Sequence, residues 1–149
     1  SRRTFSNYFS SKEDALLHGD RSRMRLLLDT LRNRPPEESG WTALVNSAEE
    51  LYRGNWDPEW VAQARLVRRH PSLVAQQVAL YAMEEREIAA EIAARSPSSD
   101  SPPMRHRLMA AAFLASLRVA VDAWLDQPPG TSLIGLVRRA LDEVSTRFD

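Results

Sequence analysis

Apolar residues recur every three or four positions through most of the chain, which is the spacing of an amphipathic α-helix. In the last segment this apolar stripe consists of Leu133, Val137, Leu141, Val144 and Phe148. The segments are rich in Ala, Leu, Glu, Arg and Gln, which are strong helix formers. No stretch shows the sustained period-two alternation of β-branched residues that indicates a strand. The pattern therefore predicts an all-α protein built as a helical bundle.

All nine prolines fall in a few short breaks between these segments. Because proline cannot donate the helical hydrogen bond and clashes inside a helix, each break predicts a helix boundary. Several residues beside the breaks suit helix caps: Ser11 with Asp14 three residues on, Asp57 before Pro58, and Thr131 before the last segment. The predicted helices span 1–9, 12–32, 41–53, 58–69, 71–95, 104–126 and 132–147.

The predicted helix at 104–126 is apolar over much of its girth and contains many small residues. A helix of this kind must be covered on more than one side, and small side chains let a neighbouring helix approach closely. Together with the last helix it could form half of a four-helix bundle with a second copy of the chain. The residues expected at this dimer interface are Ala112, Ser116, Ala120, Val137, Leu141 and Val144. The alternative is that both apolar stripes are buried in the core of the single chain.

The composition excludes several kinds of chemistry. Without cysteine the chain has no disulfide and no thiolate metal site, which is compatible with the reducing cytoplasm. His18, His70 and His106 are far apart in sequence and match no metal-binding spacing. The glycines form no phosphate loop, and the longest strongly apolar run, Leu108–Leu117, is too short to cross a bilayer. We therefore expect a cytoplasmic protein that is not an enzyme and uses no metal or cofactor.

Charge is unevenly distributed, although the chain as a whole is neutral. Residues 1–34 contain eight Lys and Arg against four Asp and Glu, a net charge of +4, and the remainder carries −4. The basic side chains of this end include Arg2, Arg3, Lys12, Arg21, Arg23 and Arg25. A basic end suits a polyanion such as DNA, whose binding releases counterions. The alternative is a solvated charged helix surface.

Bulky aromatic and sulfur-containing side chains gather in the helices between the basic end and the C-terminal pair. Buried together they would form either an ordinary core or a cavity for an apolar or aromatic ligand. The residues predicted to line such a pocket are Met24, Leu28, Trp60, Ala64, Val67, Tyr81, Phe113 and Leu117. Arg65 or Arg68 could meet an anionic group of the ligand, and a solvent-exposed or salt-bridged role is the alternative for both.

The first sixteen residues read SRRTFSNYFSSKEDAL. This stretch resembles the end of the helix-turn-helix unit of the tetracycline-repressor (TetR) family. That family has the pattern Ser-x-x-Thr, an aromatic residue or Leu, then Tyr-x-Tyr-Phe-x-x-Lys-Glu. The residues agree physically, because Phe5 and Phe9 lie four apart and would anchor one helix face. Ser6 departs from the pattern, since the family usually has an aromatic residue there.

The resemblance implies a homodimeric DNA-binding regulator, usually a repressor, with a ligand-binding and dimerisation domain after the DNA-reading unit. It implies that Ser1, Arg2, Arg3, Thr4 and Asn7 face operator DNA, and that Tyr8 and Lys12 contact phosphates. On this basis residues 1–11 are the end of the DNA-reading unit and 12–149 the ligand-binding and dimerisation domain. The first two helices of the family's DNA-reading unit have no counterpart in this sequence.

Two other classes of protein remain open at this point. A helical interaction module could use a similar bundle without binding ligand or DNA, and its core would be filled. A cofactor-free helical enzyme is the second alternative, but the sequence contains no constellation of residues that supports it. The resemblance favours a regulator that a small apolar or aromatic molecule releases from its operator.

Overall fold

The protein is described by a computed structural model that covers residues 2–54, 56–96 and 103–148, and from residue 2 to 12 the backbone only. The described residues form six α-helices and no strand. The all-α prediction is therefore confirmed. The helices are α1 (Arg2–Arg32), α2 (Gly40–Leu51), α3 (Pro58–Arg69), α4 (Pro71–Ala94), α5 (Pro103–Leu125) and α6 (Leu133–Ser145).

Side-chain caps begin three of these helices. The Asp57 carboxylate accepts a hydrogen bond from the Glu59 backbone N–H (2.9 Å), as the Asp57-Pro58 pair predicts. Ser39 caps α2 in the same way. The cap predicted for the last helix is wrong by one residue: Ser132 accepts from the Gly135 N–H (3.2 Å), while the Thr131 hydroxyl donates to the Pro128 carbonyl.

The predicted boundary between helices at 1–9 and 12–32 is also wrong, because α1 runs unbroken through both. A cap residue has a non-helical backbone, so Ser11 inside the helix cannot start a new one. The segment has no proline, and its single glycine, Gly19, lies in mid-helix. Nothing local therefore interrupts the helical hydrogen bonds, and a bend here would require packing against another element.

The core centres on Trp41, whose side chain is 1% exposed at the start of α2. Its ring meets the edge of Phe113 from α5 and the tilted ring of Phe148 after α6, with centroids 6.3 Å and 5.2 Å away. The preceding residue, Gly40, permits a close approach, because an added Cβ would lie 3.2 Å from Ile92 Cβ. Helices α1, α2, α4, α5 and α6 all contribute buried residues to this core.

The ends of α1 and α4 are tied together by one side chain. The Arg95 guanidinium, just after α4, donates to the carbonyls of Leu31, Arg34 and Pro35, the last two at 3.2 and 2.9 Å. The Leu31 carbonyl belongs to the last turn of α1, and those of Arg34 and Pro35 to the loop that follows it. Arg32 adds an ion pair to Glu91 (2.6 Å) on the same two helices. The C-terminal end of α1 is therefore fixed to α4.

The predicted dimer interface needs correction in four of its six residues. Val137 and Leu141 are 0% and 1% exposed within the single chain, and Ser116 and Ala120 are also buried. Their side chains pack in the chain's own core, where α6 lies against α5 and α2, so they cannot meet a second copy. Ala112 and Val144 are half-buried. The most regular apolar stripes of α5 and α6 thus face inward.

The opposite side of α5 is apolar as well. Met104, Leu108 and Val119 are 68%, 55% and 53% exposed, and Ala115 lies between them at the surface. In length and composition α5 could cross a bilayer, but 44% of its most apolar 18-residue window is buried inside the fold. Some of the apolar residues of α5 therefore lie in the core, and others form an exposed stripe.

Candidate functional site

A cavity of about 270 Å³ lies between α1, α3, α4 and α5. Six of the eight residues predicted to line a pocket border it together, although they come from four different helices. They are Met24, Trp60, Ala64, Val67, Tyr81 and Leu117. Its volume is just below the range of about 300–1,000 Å³ that is usual for small-molecule sites.

The other two predicted pocket residues lie elsewhere. Phe113 is fully buried against Trp41 in the main core. Leu28 borders a separate, more open groove on the other side of α1, beside Arg25 and Leu80. Met24 is the last residue of α1 that borders the cavity, and Leu28 lies one helical turn beyond it. Neither Phe113 nor Leu28 therefore borders this cavity.

A row of aromatic rings lies beside the cavity, and two of them, Tyr52 and Trp60, border it. Tyr52, Trp56, Trp60 and Trp124 stack in a row, with successive ring centroids 5.4, 4.6 and 6.1 Å apart. The Trp124 indole donates to the Thr131 carbonyl (2.7 Å), which fixes the end of the row to the turn before α6. The bordering rings offer flat apolar faces to a bound molecule.

Two tyrosines of the cavity keep their protons at any physiological pH. Burial raises the pKa of Tyr52 to about 12 and outweighs the opposing effect of nearby Arg23. Burial also raises the pKa of Tyr81, and the negative charge of Asp20 raises it further. Both phenols are therefore neutral and can donate a hydrogen bond.

A polar cluster, formed by the buried Asp20 and the part-buried Arg23 of α1 with the part-buried Gln77 of α4, lies beside the cavity. The Arg23 guanidinium donates to Asp20 Oδ1 (3.1 Å), and the Gln77 amide donates to Asp20 Oδ2 (2.8 Å). Arg23 also lies 4.4 Å above the centroid of the Trp60 ring. This distance allows a cation–π interaction, worth about 0.5–2 kcal/mol.

The rim of the cavity carries further charges. Arg68 pairs with Asp122 and Asp126, at 3.4 and 2.7 Å. Arg65 donates to the Leu125 carbonyl (3.3 Å). For Arg68 the salt-bridged alternative is therefore the one that the structure shows.

Asp20 and Arg23 are cavity residues that the sequence did not reveal. The charge count groups Arg23 with the basic end that suits DNA. A signal was available, since Asp20 lies four residues before Met24 and so shares its helix face. The helix face of Met24 therefore predicts Asp20, and with it the partner of Asp20, Arg23, at the cavity.

The side chains of the residues predicted to contact DNA lie outside the described part of the structure. Ser1 lies outside the described residues, and for Arg2, Arg3, Thr4, Asn7, Tyr8 and Lys12 only the α1 backbone is described. They occupy the end of α1 that is remote from the Arg95 contacts.

Within the described residues, no group of three or more His, Asp or Glu side chains could hold a metal ion. What the fold presents is an all-α domain with an aromatic-walled cavity between helices. A family model of the MftR C-terminal domain, a domain of TetR-type regulators, matches residues 35–149. The chain therefore belongs to the TetR family of transcriptional regulators. A comparison with curated proteins gave no match.

The family match and the N-terminal resemblance are independent of each other. The match begins at residue 35 and covers α2 to α6, whereas the helix-turn-helix resemblance rests on the first sixteen residues. Two segments that do not overlap thus indicate the same family. Residues 35–149 form its C-terminal regulatory domain.

Proposed function

We propose that this protein is a cytoplasmic, homodimeric repressor that is released from operator DNA when a small apolar or aromatic molecule occupies the cavity. One observation carries the proposal. The cavity borders α1, the same helix whose first residues resemble the DNA-reading motif of the TetR family. A molecule in the cavity would touch the helix that leads to the DNA.

The ligand must discriminate between two arrangements of the dimer. It shifts their populations only if it binds more tightly to the arrangement that spaces the DNA-reading units badly. A coupling free energy of about 1–3 kcal/mol between ligand and DNA is the expected range.

The apolar stripe on the outer side of α5 supports the dimer. It consists of the exposed residues Met104, Leu108, Ala115 and Val119 together with the half-buried Ala111. Residues at these spacings share one helix face, and the alanines allow a second helix to approach closely. Large exposed apolar patches on soluble proteins mark interaction surfaces. This stripe replaces the buried residues of the sequence-based prediction as the proposed contact between copies.

Substituting Tyr8 or Lys12 should remove a phosphate contact, which can be tested in a full-length protein with a complete DNA-reading unit. Tyr8→Phe and Lys12→Ala should each weaken binding to operator and to unrelated DNA alike, because phosphate contacts position a protein without reading sequence. Lys12→Ala should also reduce the slope of log K against log salt by about one. Fluorescence anisotropy at several salt concentrations measures both effects. Unchanged affinity and slope would show that these positions do not contact DNA.

Filling the cavity should abolish the ligand response. Ala64→Phe puts a ring into the space beside Trp60 and Tyr81. We expect it to prevent ligand-induced release, with operator binding in the absence of ligand within about threefold of the unmodified protein. The alternative result, in which the ring mimics the ligand, is constitutive release, and operator anisotropy distinguishes the two.

Ala62→Phe provides the matched control, because it makes the same substitution at an exposed position of α3 that does not border the cavity. It should respond to ligand normally. If Ala64→Phe responded like this control to a compound that raises the melting temperature, the ligand would bind elsewhere.

A further inference from the structure

The guanidinium of Arg23 has unused hydrogen-bonding capacity inside the cavity. Its side chain is only 11% exposed, yet among the described residues it donates a single hydrogen bond, to Asp20. A guanidinium has five N–H donors. No Arg23 nitrogen is both fully buried and without a partner, so the remaining donors are accessible to a molecule in the cavity that Arg23 borders.

The neighbours of Arg23 hold its guanidinium in place but leave some of its N–H donors without an acceptor. Asp20 is held by the Gln77 amide, and both of its oxygens accept a hydrogen bond. The Trp60 ring lies against one face of the guanidinium. A planar guanidinium held in this way presents its free edge in one direction, which suits the planar, two-oxygen geometry of a carboxylate.

The charges around the cavity favour an anion over a cation. Three arginines border it, Arg23, Arg68 and Arg118, against the two carboxylates Asp20 and Asp122. Asp20 is engaged by Arg23, and Asp122 by Arg68. Asp126 at the rim pairs with Arg68 as well, so the charges around the cavity balance, and a cationic ligand would find every one of these carboxylates already paired.

We propose that the cavity binds a small aromatic monocarboxylate, with its carboxylate on Arg23 and its ring against Trp60, Tyr81 and Leu117. This inference rests on the proposed function, since it names the chemical class of the effector for the same cavity. The volume of about 270 Å³ suits a compound of one or two rings.

Binding of such a ligand acts directly on α1. Its carboxylate would share Arg23 with Asp20, and both of these residues belong to α1. The ligand thus adds a contact between the helix and the cavity contents, and its negative charge is repelled by that of Asp20. Weakening the internal partner should strengthen ligand binding, which gives the proposal a test with a definite sign.

The test uses isothermal titration calorimetry on the folded chain with three probes of similar shape: 1-naphthoate, uncharged 1-naphthamide and cationic 1-naphthylmethylamine. We expect naphthoate to bind at least about tenfold more tightly than either of the others, since charge-assisted hydrogen bonds are the strong ones. Arg23→Gln should remove this preference. Arg25→Gln is the matched control, because Arg25 is exposed on the same helix and borders the other groove.

Asp20→Asn is the second variant, and it keeps the site falsifiable if Arg23→Gln fails to fold. It should tighten naphthoate binding by about tenfold, because the repelling carboxylate becomes a neutral amide of the same size. Weaker naphthoate binding by Asp20→Asn than by the unmodified chain would overturn the proposal. Tighter binding of the amine than of naphthoate to the unmodified chain would overturn it in favour of a cation site.

Equal binding of all three probes, unaffected by Arg23→Gln, would overturn the carboxylate specificity and leave the cavity as an apolar effector site. Failure of every probe to bind the folded chain would overturn the inference as well. Release of operator DNA by some other compound would then still support the proposed function.

Discussion

Replacing Val137 with arginine is expected to lower the free energy of unfolding by about 4 kcal/mol or more. Val137 is 0% exposed between α6 and its neighbours, so the guanidinium would be buried without a partner. An unpaired buried charge costs about 4 kcal/mol or more, a large part of the roughly 5–15 kcal/mol that holds a typical domain together. Urea denaturation followed by circular dichroism measures the loss.

The matched control is Asp142→Arg, which places the same side chain on the exposed side of α6. Its free energy of unfolding should stay within about 0.5 kcal/mol of the unmodified chain. A Val137→Arg variant that kept the stability of the unmodified chain and became monomeric would contradict the structure. It would restore the sequence-based expectation that Val137 lies between two copies.

Replacing Ala115 with arginine should have the opposite signature, loss of the dimer with retention of the fold. Ala115 is exposed in the single chain, so the substitution should change stability by no more than about 0.5 kcal/mol. In a two-fold dimer the new charge enters the interface from both sides. We expect a dissociation constant at least about 100-fold higher, and in the full-length protein a comparable loss of operator affinity.

Light scattering at micromolar concentration, with and without the substitution, measures this effect. Ala62→Arg, the same substitution at an exposed position of α3, is the control and should leave the dimer intact. An unmodified chain that is monomeric at this concentration would refute the proposed dimer. A dimeric Ala115→Arg variant would move the interface away from the exposed stripe of α5.

The helix boundaries next to prolines were the most predictable part of the fold. Pro58 and Pro71 begin helices at the predicted positions, because the missing N–H of proline acts locally and needs no tertiary partner. The junction after residue 9 was not predictable in the same way. The Ser11 and Asp14 cap pattern predicts a helix start there, but the local sequence allows a continuous helix.

The inward face of α5 could not be assigned from the sequence. This helix is apolar on both sides, so its periodicity does not say which side the core takes. Inside lie Phe113, Ser116 and Ala120, whereas Leu108 and Val119 remain outside. The choice depends on where α4 and α6 pack, which is information carried by the tertiary fold.

The apolar part of the cavity was largely predictable, and its polar part was not. Aromatic and sulfur-containing residues in mid-chain helices tend to be buried together, and this tendency led to Trp60, Tyr81 and Met24. Arg23 falls into the basic end because neighbouring arginines surround it. A charge count does not say on which side of a helix a residue lies. Arg23 and Arg25 are two residues apart, so they are separated by about 200° around the helix axis.

The Arg95 contacts give α1 the mechanics of a lever with a fixed pivot. Because the C-terminal end of α1 is held against α4, a tilt of α1 leaves the residues near Arg32 almost in place. The displacement increases toward the first residues of the helix. Lys12 lies twenty residues away, which is about 30 Å along a helix, so a tilt of about 5° moves it by about 3 Å. Asp20 and Arg23 lie partway along this arm. A small adjustment around them would therefore reach the first turns of the helix as a displacement comparable to a hydrogen-bond length.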